Sequence, residues 1–209
     1  MQIPHLTRAA RLAALFIICA SPAGAQRPVT HNTLTSDTLP RVTLHLDSTF
    51  TYLGTQSFVL YNVANAEQHF FAELDGKRIK RFVWIQFEGY LPDKPHTYNY
   101  SRDTTMTLWG RTIYRNSALW QIPTTEQNPA SDGAHMRQFL RDRGLTMAPA
   151  MLYHRLVWLP ETPARYELMI IYMEDPADQG ALAGPLTGDR VTELLRASLA
   201  RAGRSIEYH

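Results

Sequence analysis

The chain has 209 residues, 44% of them hydrophobic and 19% charged, with 21 basic against 19 acidic side chains. That is ordinary globular composition, and it excludes a disordered tail, a collagen, a coiled coil and a polytopic membrane protein. A net charge of +2 gives no basic field of the kind nucleic acid requires.

Residues 1–25 have the three parts of a secretory signal peptide. Arg8 and Arg11 supply the positive region, Leu12 to Ala20 is a short apolar run, and Ala23-Gly24-Ala25 is a small-residue cleavage site. The apolar run is far short of the roughly 20 residues that span a bilayer. Cleavage is expected next to Gln26, giving an exported protein, periplasmic or extracellular. It removes the only cysteine, Cys19, and two arginines, leaving 19 basic against 19 acidic residues. The mature chain then carries no transmembrane segment, no thiol chemistry and no basic balance. A cysteine-free chain suits an oxidising compartment.

Residues 26–40 are rich in Thr, Ser, Asn and Pro without periodicity, and are expected to form a flexible leader before one domain spanning 41–209. Val42, Leu44 and Leu46 alternate with polar residues as a half-buried strand does. Ser57–Val63 is a second candidate strand. His69–Leu74 and Lys77–Tyr90 flank Asp75-Gly76, the pattern of a two-residue type I′ hairpin. That register sets Glu73 opposite Arg78, Ala72 opposite Ile79 and His69 opposite Phe82.

The second arm of this hairpin has two faces. Ile79, Val83, Ile85, Phe87 and Leu91 share one parity, interrupted only by Arg81, and Phe82, Trp84, Gln86, Glu88 and Tyr90 share the other. Tyr98–Tyr100 and Thr105–Arg115 are expected to pair around 101–104, and 120–132 forms a loop. Ser131 or Asp132 then caps a helix carrying Met136, Phe139 and Leu140, which Arg143 and Gly144 end. Met151–Leu159 and Arg165–Glu174 are two further strands. The second is apolar on both parities from Leu168 to Met173, as a central strand covered on both faces must be. After a loop over 175–186, a last helix starts near Thr187 and ends near Gly203. Its stripe is Val191, Leu194, Leu195, Leu199 and Ala202, with Arg190, Arg196 and Arg201 on the far side. The order of elements predicts an α+β fold: a mostly antiparallel sheet with an internal helix and a C-terminal helix packed on it.

No motif names a reaction. The chain has no G-x-S-x-G, H-E-x-x-H, phosphate-binding loop, Rossmann glycine pattern or EF-hand loop, so no cofactor or metal is expected. His69 and Glu73 share a strand face but lie about 13 Å apart by strand rise, too far to share a metal. The expected ligand surface is the aromatic face of the hairpin: Phe82, Trp84, Gln86, Glu88 and Tyr90, with His69 and Phe71 beside them. A non-catalytic module binding a small apolar or amphipathic ligand, or an envelope partner protein, follows from that surface. The alternative is a motif-less, hydrolase-like enzyme using His154 or His69 with Glu88 or Glu167. The tyrosines Tyr90, Tyr98, Tyr100 and Tyr114, with Trp109 and Trp120, form a second aromatic concentration.

Overall fold

The computed structural model describes residues 27–179 and 187–209. The expected signal peptide, with its Ala25–Gln26 cleavage point, and part of the expected 175–186 loop lie outside the described residues. The fold is α+β, with two antiparallel sheets and two α-helices. A four-stranded sheet has the order β1 (Val29–Thr30), β2 (Thr33–Ser36), β3 (Val42–Leu46) and β11 (Ile206–Tyr208). The seven-stranded sheet runs β4 (Thr51–Leu60), β5 (Ala64–Asp75), β6 (Arg78–Tyr90), β10 (Tyr166–Glu174), β9 (Ala150–Trp158), β8 (Arg111–Gln121) and β7 (Thr104–Leu108). The helices are α1 (Asp132–Asp142) and α2 (Gly188–Ser205). Among the described residues no helix is long and apolar enough to cross a membrane.

Three layers follow from the alternation along the central strands. Leu168, Ile170 and Tyr172 of β10 point into a core shared with Leu34, Leu44 and Leu46 of the small sheet and Ala202 of α2. Met169, Ile171 and Met173 point the other way, into a core roofed by Met136, Phe139 and Leu140 of α1. β10 is thus covered on both faces, as its unbroken apolar run requires. The helix boundaries are chemical. The Ser131 hydroxyl accepts the Ala134 amide at 3.1 Å and caps α1. Gly144, at φ 65°, takes the left-handed turn that ends it.

The differences from the sequence reading are local and have physical causes. Residues 29–36 are a hairpin and not a leader. His31 and Asn32, both at positive φ, make the two-residue turn, and Leu34 is fully buried. β4 begins at Thr51, six residues earlier than expected, and Tyr98–Tyr100 form no strand. The partner of β8 is β7, joined by a Trp109-Gly110 turn with both φ positive. α2 runs through Gly203 to Ser205, and β11 follows it. Arg201 does not face away: it binds Glu174.

The hairpin of β5 and β6 forms, but in a different register. The central turn residues are Gly76 and Lys77, with Asp75 opposite Arg78. Only Gly76 has a positive φ, 60°, the pattern of a type II′ turn. An irregularity between Glu73 and Leu74 leaves Lys80 without a partner, so Glu73 pairs with Arg81 and Ala72 with Phe82. Arg81 and Lys80 both bind the Glu73 carboxylate. The extra residue exchanges the faces on either side of it. Ile79 packs under α1, whereas Val83, Ile85 and Phe87 face the small sheet.

Gly89 of β6 lies opposite Tyr166, whose ring covers it. A Cβ at Gly89 would stand 2.6 Å from that ring. Gly89→Ala is expected to cost about 1–3 kcal/mol through this overlap, measured as a lowered urea midpoint at unchanged slope. A neutral result would mean that the Tyr166 ring swings away freely.

Candidate functional site

The seven predicted surface residues do not assemble. The lone extra residue at Lys80 places His69 opposite Ile85 and Phe71 opposite Val83, on the small-sheet face. Phe82 and Trp84 do share the other face, but α1 closes over them. Phe70 sits 4.4 Å from the Phe139 ring between centroids and 5.7 Å from Phe82, and Trp84 is 3% exposed. These three aromatics are core. Gln86 and Glu88, further along β6, lie in a polar layer, and Tyr90 stacks on Tyr98 at 4.5 Å.

That polar layer is a directed chain of hydrogen bonds. Gln56 Nε2 donates to Gln68 Oε1 at 2.7 Å, Gln68 Nε2 to Gln86 Oε1 at 2.8 Å, and Gln86 Nε2 to Glu88 Oε2 at 2.6 Å. Tyr98 donates its hydroxyl to Glu88 at 2.7 Å, and Tyr100 donates to Glu167 at 2.7 Å. The amides come from three adjacent strands, and Gln68 also donates to the Asp132 carbonyl at the start of α1. Gln68 and Gln86 are fully buried, so each needs these partners. The segment 91–103 brings the two phenols down over the two carboxylates.

Glu88 and Glu167 are directly opposite each other across the β6–β10 pairing, and both are buried. Burial raises the Glu88 carboxyl. Burial first, and the charge of Glu88 second, push Glu167 up to about 8. Burial also raises Asp132, close enough to add to both. The pair therefore keeps a proton at neutral pH. The phenols of Tyr98 and Tyr100 are raised by burial and by the carboxylates they serve.

The folded state consequently holds a proton that the unfolded chain gives up around the ordinary carboxyl value of 4.5. Stability from this group is complete below that value and declines as pH rises through about 8. Every tenfold by which the folded state holds the proton more tightly than the unfolded chain corresponds to about 1.4 kcal/mol. The melting temperature is expected to fall between pH 6 and 9, and Glu167→Gln, which still accepts from Tyr100, is expected to flatten that fall. An unchanged slope in the variant would assign the decline elsewhere.

The two histidines have separate environments. His69 is fully buried between the sheets. Its Nε2 lies 2.7 Å from Glu67 and its Nδ1 3.1 Å from the Tyr52 hydroxyl. Arg27 closes the network on Glu67 at 2.6 Å. His154 is also buried, with Nδ1 2.8 Å from Ser117 Oγ, and burial lowers it to about 4. Its hydrogen bond is to a hydroxyl and not a carboxylate. Neither histidine pairs with Glu88 or Glu167. Among the described residues no three His, Cys, Asp or Glu side chains converge to hold a metal ion.

Beyond the end of α1 the same sheet face is less covered. Tyr90, Tyr98, Tyr100, Tyr114, Trp120 and Tyr153 are all half-buried there. Tyr100 lies 5.8 Å from Tyr114, and Trp120 lies 5.7 Å from Tyr153. Arg155, 5.2 Å over the Tyr100 ring, binds Asp103 at 2.7 Å. Asp103 also borders a shallow polar depression of about 300 Å³ with Arg102, Thr104, Arg115, Asn116 and Ser117. The sequence held this shelf only as a concentration of tyrosines. It gave no sign that Tyr153 and Arg155 join them, because that depends on β8 pairing with β9 across the whole of α1. Comparison with family models, curated proteins and solved structures returns no match to this chain.

Proposed function

We propose that the chain is an exported, non-catalytic binding module, and that its ligand rests on the aromatic shelf over β8 and β9. The observation that carries this reading is the row of half-exposed rings from Tyr90 to Trp120 beside the Arg155–Asp103 pair. Rings of this kind accept an apolar face by stacking, while the ion pair and the Asn116 amide supply oriented polar contacts. An amphipathic molecule with one apolar face and a hydroxyl- or amide-bearing edge fits both. Export rests on the Arg8/Arg11, Leu12–Ala20 and Ala23-Gly24-Ala25 pattern.

The test is a fluorescence titration with a panel of oligosaccharides and an environment-sensitive apolar dye. Of the four tryptophans only Trp120 stands on the shelf, since Trp84 is under α1 and Trp109 and Trp158 face the small sheet. Saturable binding that weakens at least tenfold in Trp120→Ala, with circular dichroism unchanged, is expected. No saturable response to any probe, or full retention in the variant, rejects the shelf.

A hydrolase-like alternative draws on one pair, His69 and Glu67 at 2.7 Å. Ester hydrolysis by the wild type that disappears in His69→Gln would favour it over the binding reading.

A further inference from the structure

The seven-stranded sheet has one long free edge. β4 pairs with β5 on its inner side, and among the described residues no strand pairs with its outer side. Natural sheets blunt such edges with charge, proline or bulges. β4 has an irregularity between Tyr52 and Gly54, and beyond it nothing of the kind. From Ser48 to Ala66 the chain holds no Asp, Glu, Lys, Arg or Pro. Thr55–Leu60 is therefore an extended, uncharged strand whose outward amides and carbonyls are free to pair. At its end stand Val59 and Tyr61, 49% and 51% exposed, two of the three most exposed large apolar side chains described.

We propose that this edge pairs with the same edge of a second copy of the chain, antiparallel, extending the seven-stranded sheet across a two-fold axis. A two-fold contact sets the edge against itself, residue i opposite j and j opposite i, so an edge carrying one sign of charge repels itself and an uncharged one does not. The absence of charge from 48 to 66 is the property self-pairing demands, and it offers a foreign strand no complementary charge to recognise. Exposed Val59, on the face away from Phe58 and α1, gains apolar cover in the joined sheet. The irregularity at Gly54 turns the strand away and confines the pairing to Thr55–Leu60, about 20 Å of strand. This surface is independent of the aromatic shelf, which lies towards the opposite edge.

Sedimentation velocity of the wild type from 1 to 200 μM tests it, alongside Val59→Lys and Ser57→Lys. Both positions are exposed at the edge, so the fold tolerates lysine, and an unchanged melting curve verifies that. The wild type is expected to form a dimer whose amides at 55–60 exchange more slowly as concentration rises. Each lysine variant is expected to raise the dissociation constant at least tenfold, less so at high salt. A wild type that stays monomeric over the whole range overturns the proposal. So does a dimer that both lysine variants leave intact, or one whose 55–60 amides are unprotected.

Discussion

Arg201→Ala is expected to lower the unfolding free energy by about 3–5 kcal/mol, the usual cost of leaving one member of a buried ion pair alone. Glu174, at the end of β10, is fully buried. Arg201 of α2 grips it through Nη2 at 2.6 Å and Nε at 2.9 Å, and the Tyr172 hydroxyl donates at 2.6 Å. Removing the guanidinium strands the carboxylate and frees the helix from the sheet. Arg201 is 26% exposed, so water softens the loss and the lower end of the range is expected. For a chain of this size that is about 6–12 °C in melting temperature. The pair Glu174→Leu with Arg201→Met is expected to recover most of it, because the unpaired charge is then gone. A single variant within about 1 kcal/mol of wild type would show that water reaches Glu174 after all.

Trp84→Ala carries the second large effect, about 3–5 kcal/mol from the cavity it opens between β6 and α1. Its ring packs with Phe70, Met136 and Phe139. Among the described residues its Nε1 has no hydrogen-bond partner. Trp84→Phe therefore removes a buried unsatisfied donor as well as volume, and is expected to cost under about 1.5 kcal/mol. Urea unfolding measures both. If Trp84→Ala kept wild-type stability while losing ligand affinity, Trp84 would line a binding site and not a core.

The cores of this fold were largely legible in the sequence, because period-two and helical alternation are short-range signals. The stretch 168–173 announced a central strand, and Ser131 and Thr187 announced helix starts that their hydroxyls do cap. The site was less legible, and one residue explains much of that. The unpaired Lys80 leaves no mark on the alternation pattern, yet it moves His69 and Phe71 to the other side of the sheet. Counting residues across a turn inherits any such slip. The leader-like stretch 26–40 misled for another reason. Its strands are two and four residues long, too short to show a period, and the small sheet supplies the order that their own composition does not. The carboxylate pair depended on β6 lying beside β10, which no local pattern could report.

That β6–β10 seam also divides the large sheet into two runs of strands, each of which pairs only with neighbours in sequence: β4 to β6, and β7 to β10. Each run can assemble from local contacts, whereas joining them sets Glu88 against Glu167, about 80 positions away, a slow class of contact to form. One carboxyl arrives from each half, so the halves meet as a proton is captured. Stopped-flow refolding across pH 6–9 thus reports when they meet. A folding rate that drops with rising pH while unfolding stays flat means that the seam closes before the barrier. An unfolding rate that rises instead means that the halves order separately and join on the downhill side.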